Sequence, residues 1–301
     1  MKPAPFGYHR VSSVEEAVAA LSAYEGTARP IAGGQSLVPM LNMRLLRPDA
    51  LIDINPVRSL RRVDVDGATG AVTIGATSRY STIETSGVIA ERLPLLARVV
   101  RHVGDRQVRN RGTVGGSLSH GDPTAEVPLA CLTLGGRVRV QGPDGVRHIR
   151  MEDLYETSYA SVLAPCEVLT DVVLPEAPAH SGFLECCRRH NDFAVVSVAC
   201  VGDRDRSGRW SRIRIGLGGV ADTPVLAANA AGYLEGSRLT DEEIREAAQA
   251  TLAVIDPPSD VRASAEYRRH LVPVYVRRAL TAMRDGADHG RDASSSDGAG
   301  R

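Results

Sequence analysis

The sequence predicts an α+β protein: two small N-terminal α/β lobes, then a C-terminal α+β domain built on an antiparallel sheet. Three observations carry this. Short apolar runs alternate with helix signals through residue 174. A Pro/Ala segment, 175–181 (PEAPAHS), interrupts the alternation. After it come three long strand-like runs and then three helix-like runs, the order expected where strands and helices segregate. The boundaries follow as 1–56 for the first lobe, 57–176 for the second, 177–284 for the C-terminal domain and 285–301 for a polar tail. At roughly 100–200 residues per domain, the chain length accommodates this division.

In the first lobe, Ser12 or Ser13 can cap a helix, with Glu15 or Glu16 three residues on as the reciprocal partner. Val14, Ala17, Val18 and Leu21 then recur at helical spacing. Pro30-Ile31-Ala32 leads into Gly33-Gly34-Gln35-Ser36, and a short helix covers Leu37 to Arg44. Residues 50–54 (ALIDI) read as a buried strand closed by Asn55-Pro56. The second lobe opens on a hairpin, 60–65 and 71–75, around the turn pair Asp66-Gly67. Helices follow near 81–86 and 94–103, where Pro94 suits a first helical position. A second glycine loop, Gly112 to Ser117, precedes a helix over 124–133 that Gly135-Gly136 ends. A hairpin pairs 137–141 with 146–150, and 168–174 reads as a strand. The C-terminal strands are 182–189, 194–203 and 210–218, and the helices 224–234, 241–253 and 264–284. The Gly/Ser/Asp-rich tail, 285–301, reads as disordered.

Composition excludes several function classes. The 36 basic side chains balance the 36 acidic ones, which argues against nucleic-acid binding by phosphate neutralisation and against a polybasic membrane surface. No run approaches the roughly 20 apolar residues needed to span a bilayer. The opening MKPAPFGYHR has no apolar signal-peptide region, so the expected location is the cytoplasm. The five cysteines are odd in number, two are adjacent, and none form CxxC. That disfavours a disulfide scaffold and a four-thiolate zinc or iron–sulfur site. His120 and Asp122 lack a third metal ligand, so no metal site is expected.

The most informative feature is the pair of loops Ala32-Gly33-Gly34-Gln35-Ser36 and Thr113-Val114-Gly115-Gly116-Ser117. Each has two glycines followed by a hydroxyl residue, the first after Gln35 and the second directly. Successive backbone amides can meet a diphosphate if no Cβ blocks close approach. Two such loops meeting in space would clamp a dinucleotide-like diphosphate from both sides. The plain alternative is that paired glycines mark turns, which is the reading for Gly135-Gly136 and Gly218-Gly219. No GxxxxGK(S/T), no GxGxxG with a distal acid and no GxSxG occurs, so P-loop, Rossmann and serine-hydrolase readings are unsupported.

Three stretches, in order, are AGGQSLVPMLNMRLLRPDALIDIN from Ala32, RNRGTVGGSLSHGDPTAE from Arg109 and CRRHNDFAVV from Cys187. Together they resemble the FAD-binding medium subunit of the molybdenum hydroxylases, the family of xanthine dehydrogenases and aerobic carbon monoxide dehydrogenases. The resemblance covers residues 1–285. It implies a two-lobed FAD-binding domain of the vanillyl-alcohol-oxidase (PCMH) type followed by the C-terminal domain. It places Ala32, Gly33, Gly34, Gln35 and Ser36, flanked by Ile31 and Leu37, on one diphosphate loop. Thr113, Gly115, Gly116 and Ser117 fall on the other. Many relatives have asparagine at Ser117. Asp122 and Glu126 match acidic positions near the ribityl or ribose hydroxyls, where a carboxylate can accept hydroxyl protons; helix capping is the structural alternative. Val168 and Leu169 match the strand beside the isoalloxazine ring, and Val103 a position that packs near the flavin. Asp192 and Phe193 match a motif whose aromatic can screen the flavin face; as a lone aromatic, Phe193 would instead be core.

The resemblance further implies partners: a molybdopterin-binding large subunit and a small subunit with [2Fe-2S] clusters. Electrons would pass from those clusters through FAD to NAD+, dioxygen or a quinone. No catalytic side chain is singled out, since the flavin would carry the chemistry. Glu185 stands where many relatives have lysine, which bears on flavin tuning or acceptor rather than on FAD binding. Alternative readings are a stand-alone FAD-dependent oxidase or oxygenase, and an FAD-holding assembly module without redox turnover. The cluster Arg106, Arg109 and Arg111 is open between a solvated face, a partner contact and a phosphate contact.

Overall fold

A computed structural model describes residues 2–189 and 191–286. The first unit contains β1 (Gly7–Arg10), α1 (Val14–Ala23), β2 (Ala28–Ile31), α2 (Leu37–Asn42) and β3 (Ala50–Asp53). The Ser13 hydroxyl accepts the Glu16 amide, while the Glu16 carboxylate accepts the Ser12 amide at 2.7 Å, which starts α1. Val14, Ala17, Val18 and Leu21 of α1 pack on Ala28, Ala50 and Ile52. The three strands are parallel in the order β1-β3-β2. Ile31 and Asp53 lie in register at the carboxyl ends of β2 and β3, the edge where open parallel sheets place ligand loops.

The second unit runs β4 (Val63–Val65), β5 (Val72–Gly75), α3 (Tyr80–Thr85), α4 (Gly87–Arg92), α5 (Pro94–Val99), α6 (Arg106–Arg111), α7 (Val114–His120) and α8 (Glu126–Thr133). It continues with β6 (Arg137–Gly142), β7 (Gly145–Arg150), β8 (Tyr155–Thr157), β9 (Ala160–Ser161) and β10 (Val168–Leu174). Its sheet has the order β4-β5-β10-β6-β7. The last strand therefore sits in the middle, antiparallel to both neighbours. The strand expected from Leu60 begins only at Val63, because Arg58–Arg61 form a 3-10 turn. That turn brings the Leu60 carbonyl to the Thr77 amide and hydroxyl, both at 2.8–2.9 Å. The helix expected from Thr124 begins at Glu126. Asp122 holds Thr124 in a turn through its amide and hydroxyl.

The third unit is β11 (His180–Cys187), β12 (Ala194–Arg204), β13 (Trp210–Gly218), β14 (Val225–Leu226), α9 (Ala228–Leu234), α10 (Asp241–Ala250) and α11 (Ala265–Asp285). Its four strands form an antiparallel sheet in sequence order. One face, with Phe183, Ala199 and Val201, joins the core of the second unit. The other, with Val198 and Cys200, packs on Val276, Ala279 and Met283 of α11. Helix α11 runs through Asp285 and is capped by left-handed Gly286, so the first two residues assigned to the tail belong to the helix end. The rest of the expected tail, 287–301, lies outside the described residues.

Candidate functional site

The first glycine loop leaves β2 at Ile31 and enters α2 at Leu37. The Asn55 side-chain amide anchors it by donating to the Ala32 carbonyl at 2.9 Å. Gly34 has φ +72°, a left-handed conformation that favours glycine. Gln35 and Ser36 are exposed, and the Gln35 side-chain amide reaches the Gly33 carbonyl at 3.4 Å. Among the described residues, no backbone acceptor takes the amides of Gly33, Gly34, Gln35 or Ser36. Those four donors are available to a ligand.

The second loop is different. Thr113 caps α7, and its hydroxyl accepts the Gly116 amide at 3.1 Å. The Val114 and Gly115 amides donate to the carbonyls of Ser78 and Ala76. The amide supply expected here is therefore spent inside the fold, because the loop is stitched to the chain that follows β5. Gly115 is required for that stitching, since a Cβ there would stand 2.4 Å from the Ala76 Cβ. What remains for a ligand is the exposed Gly116 and the half-buried Ser117.

The two loops meet. A Cβ on Gly33 would stand 2.3 Å from the Arg111 carbonyl oxygen and 3.0 Å from the Gly112 Cα. The same carbonyl accepts a hydrogen bond from Arg79, whose guanidinium also donates to Asn55 Oδ1 at 2.5 Å. Asn55 is held in turn by Asp53, which accepts from its amide and its side chain. Burial alone would raise the Asp53 carboxyl; hydrogen bonds from Tyr8 and Asn55 outweigh it and hold it below the ordinary value. Arg79 was missed at the sequence level, because nothing near it in the chain signals a contact 24 or 32 positions away.

Acidic side chains line the junction with the third unit. Asp122 is buried and serves the Thr124 turn. It does not cap α8, whose preceding residue is Ala125. Glu126 is buried, and desolvation, reinforced by Glu185, pushes its pKa up to about 8. At neutral pH it is therefore mainly a neutral acid that can donate a proton, rather than the acceptor expected for a carboxylate. The Glu185 side chain is 5% exposed, with Oε1 3.2 Å from His102 Nδ1. Its Oε2 is buried without a partner.

The apolar candidates are spread out. Val103 is half-buried against the second core. Val168 belongs to the first core and Leu169 to the second, on opposite faces of β10, so only one of them can face a given ring. Phe193 is not core: it is 53% exposed on the turn after β11, with the Arg262 guanidinium 4.6 Å from its ring centre. Asp192 accepts the Phe193 amide at 2.8 Å. Of the basic cluster, Arg109 is used internally, binding Glu84 and the carbonyls of Val103 and Gly104. Arg111 contributes its carbonyl. Among the described residues no group of three or more His, Cys, Asp or Glu can hold a metal, and all five cysteines are free.

FAD fits these residues on three counts: four uncommitted amides on one loop, glycines with no room for a Cβ where the loops touch, and a buried carboxylate oxygen without a donor. Comparison with known families decides the matter. Residues 4–177 match the FAD binding domain in molybdopterin dehydrogenase. The chain belongs to the FAD-binding medium subunits of the molybdenum hydroxylases. Residues 182–283 of this medium subunit match the CO dehydrogenase flavoprotein C-terminal domain. It is 39% identical to the nicotine 6-hydroxylase medium subunit of Paenarthrobacter nicotinovorans, over 93% of this chain and 98% of that one. It is 38% identical to the 6-hydroxypseudooxynicotine dehydrogenase complex subunit alpha of the same organism, over 93% and 95%. Its fold is similar to a solved chain of carbon monoxide dehydrogenase from Hydrogenophaga pseudoflava, with TM-score 0.90 and 36% identity over 94% and 98% of the two chains. Like these relatives, the medium subunit is an oxidoreductase component of a multi-subunit dehydrogenase, and its cofactor is FAD. No helix among its described residues is long and apolar enough to cross a membrane.

Proposed function

We propose that this medium subunit receives electrons from [2Fe-2S] clusters of a small partner chain and passes them through FAD to NAD+, dioxygen or a quinone. Substrate would be oxidised in a molybdopterin-binding large partner. The observation that carries the reading is the contact of Gly33 with the Arg111 carbonyl, which brings both glycine loops to one place. When bound, FAD would supply the redox chemistry, taking up electrons one at a time from the clusters and releasing them singly or as a pair.

The chain's own residues bind and orient. The amides of Gly33, Gly34, Gln35 and Ser36 donate to the diphosphate, with Ile31 and Leu37 as apolar flanks. Gly116 permits close approach on the second loop, Thr113 and Gly115 hold that loop in shape, and the Ser117 hydroxyl adds a side-chain partner. Glu126 offers a proton, and Asp122 fixes the turn that presents it. Val103 and one residue of the Val168-Leu169 pair give the ring an apolar wall, and Phe193 covers an open side. Relatives named for nicotine and for carbon monoxide align with this chain over 98% of their own length, which supports a substrate pocket in another subunit.

The test is purification from the native host under gentle conditions. A large molybdenum-containing chain and a small iron–sulfur chain should co-purify, and substrate should bleach the flavin band only with all three present. Turnover by the isolated chain would support a stand-alone oxidase instead. Bound FAD that neither donor nor acceptor reduces or reoxidises would support an assembly module.

A further inference from the structure

The backbone around Arg79 is fixed to the second glycine loop. Arg79 forms an antiparallel bridge with Thr113, and the amides of Tyr80 and Val114 bond the carbonyls of Gly112 and Ser78. From that anchorage its side chain crosses to the first unit. One nitrogen donates to the Arg111 carbonyl and the other to Asn55 Oδ1. Asn55 spends its own amide on the Ala32 carbonyl, the first residue of the other loop. A planar guanidinium fork can hold two acceptors at a fixed separation, which an ammonium cannot. Arg79 is half-buried beside the like charges of Arg111 and Arg61, with Asp53 the opposing carboxylate. A cation is thus retained at an electrostatically unfavourable place, where its fork joins the two loops.

We propose that Arg79 is a positioning residue of the FAD site, a clasp that sets the gap between the two glycine loops and so the seat of the cofactor's diphosphate. The inference rests on the FAD reading above, and concerns how the loops are held rather than which atoms touch the ligand. Arg79 acts through Asn55 and the Arg111 carbonyl.

The experiment uses the full chain, with its partners where they co-purify, stripped of flavin and titrated with FAD, ADP and riboflavin. Arg79→Gln and Arg79→Lys should each weaken FAD and ADP by about tenfold or more, the scale of one lost charge-assisted hydrogen bond, and leave riboflavin unchanged. Asn55→Ala should cause a similar loss, and combining it with Arg79→Gln should add little, since both break one clasp. Three results overturn the proposal: FAD affinity of Arg79→Gln within twofold of wild type, full affinity in Arg79→Lys, or equal losses for FAD and riboflavin with a lowered melting temperature. Wild-type protein that takes up neither FAD nor ADP would overturn the FAD reading itself, and this inference with it.

Discussion

Gly33 and the carbonyl oxygen of Arg111 touch with no space between them for a methyl group: a Cβ on Gly33 would lie 2.3 Å from that oxygen. The obstacle is backbone, so it cannot rotate away. Gly33→Ala must part the loops or distort one of them. The expected result is a destabilisation of about 1–3 kcal/mol, as for other overpacked sites, with flavin content falling well below one per chain. The absorbance ratio at 450 and 280 nm and a urea melt measure both effects. Full flavin loading in the variant would show that the contact does not set the site.

Gly232 supplies the opposite case. It lies within α9, is exposed, and nothing stands within 4 Å of where its Cβ would be. Gly232→Ala should stabilise the protein by roughly 0.5–1 kcal/mol through helix propensity alone, with flavin content unchanged. An unaltered or lowered urea midpoint would contradict this.

Glu126 makes stability depend on pH. Burial raises its folded pKa to about 8, above the ordinary glutamate value of 4.5. Folded and unfolded chains both hold the proton below about 4.5; between there and about 8 only the folded chain does. Its contribution is therefore fully present in acid and is lost as pH rises to about 8, on the order of 1.4 kcal/mol per unit at most. Glu126→Gln should flatten this slope and be more stable than wild type at pH 8. Urea midpoints at pH 5, 6.5 and 8 decide it, and parallel slopes in the two proteins would refute the assignment.

Phe193 is exposed, so Phe193→Ala should cost no more than about 1 kcal/mol, the scale of its contact with Arg262. If the ring screens a flavin face, the reduced variant should be reoxidised by dioxygen several times faster than wild type in stopped flow. An unchanged rate would remove Phe193 from the site.

Much of the fold is legible from residue pattern. The run 168–174 (VLTDVVL), apolar but for Thr170 and Asp171, marks the buried strand β10, and Trp210–Gly218 is found where read. Other elements give little signal. Helix α6 has no buried residue to generate a periodic stripe; the Asp105 cap supports its start. Strand β1 is GYHR, exposed along most of its length and fixed by pairing with β3. At the candidate site, glycine at 33 and 115 answers to contacts with no room for a Cβ, and at 34 to a left-handed backbone, constraints that leave a visible Gly-Gly signature in the sequence. Arg79 and His102 were not readable, since their roles lie in partners brought near only by the tertiary fold. The state of Glu126 was equally hidden, because it depends on burial that only the tertiary fold creates and on the charge of Glu185, 59 residues later in the chain.

The central place of β10 between β5 and β6 has a bearing on synthesis. A nascent chain cannot close its middle sheet until residue 174 has left the ribosome. Until then β4-β5 and β6-β7 are separate hairpins with bare edges, so a fragment cut before β10 would expose sticky strands instead of forming a smaller flavin carrier.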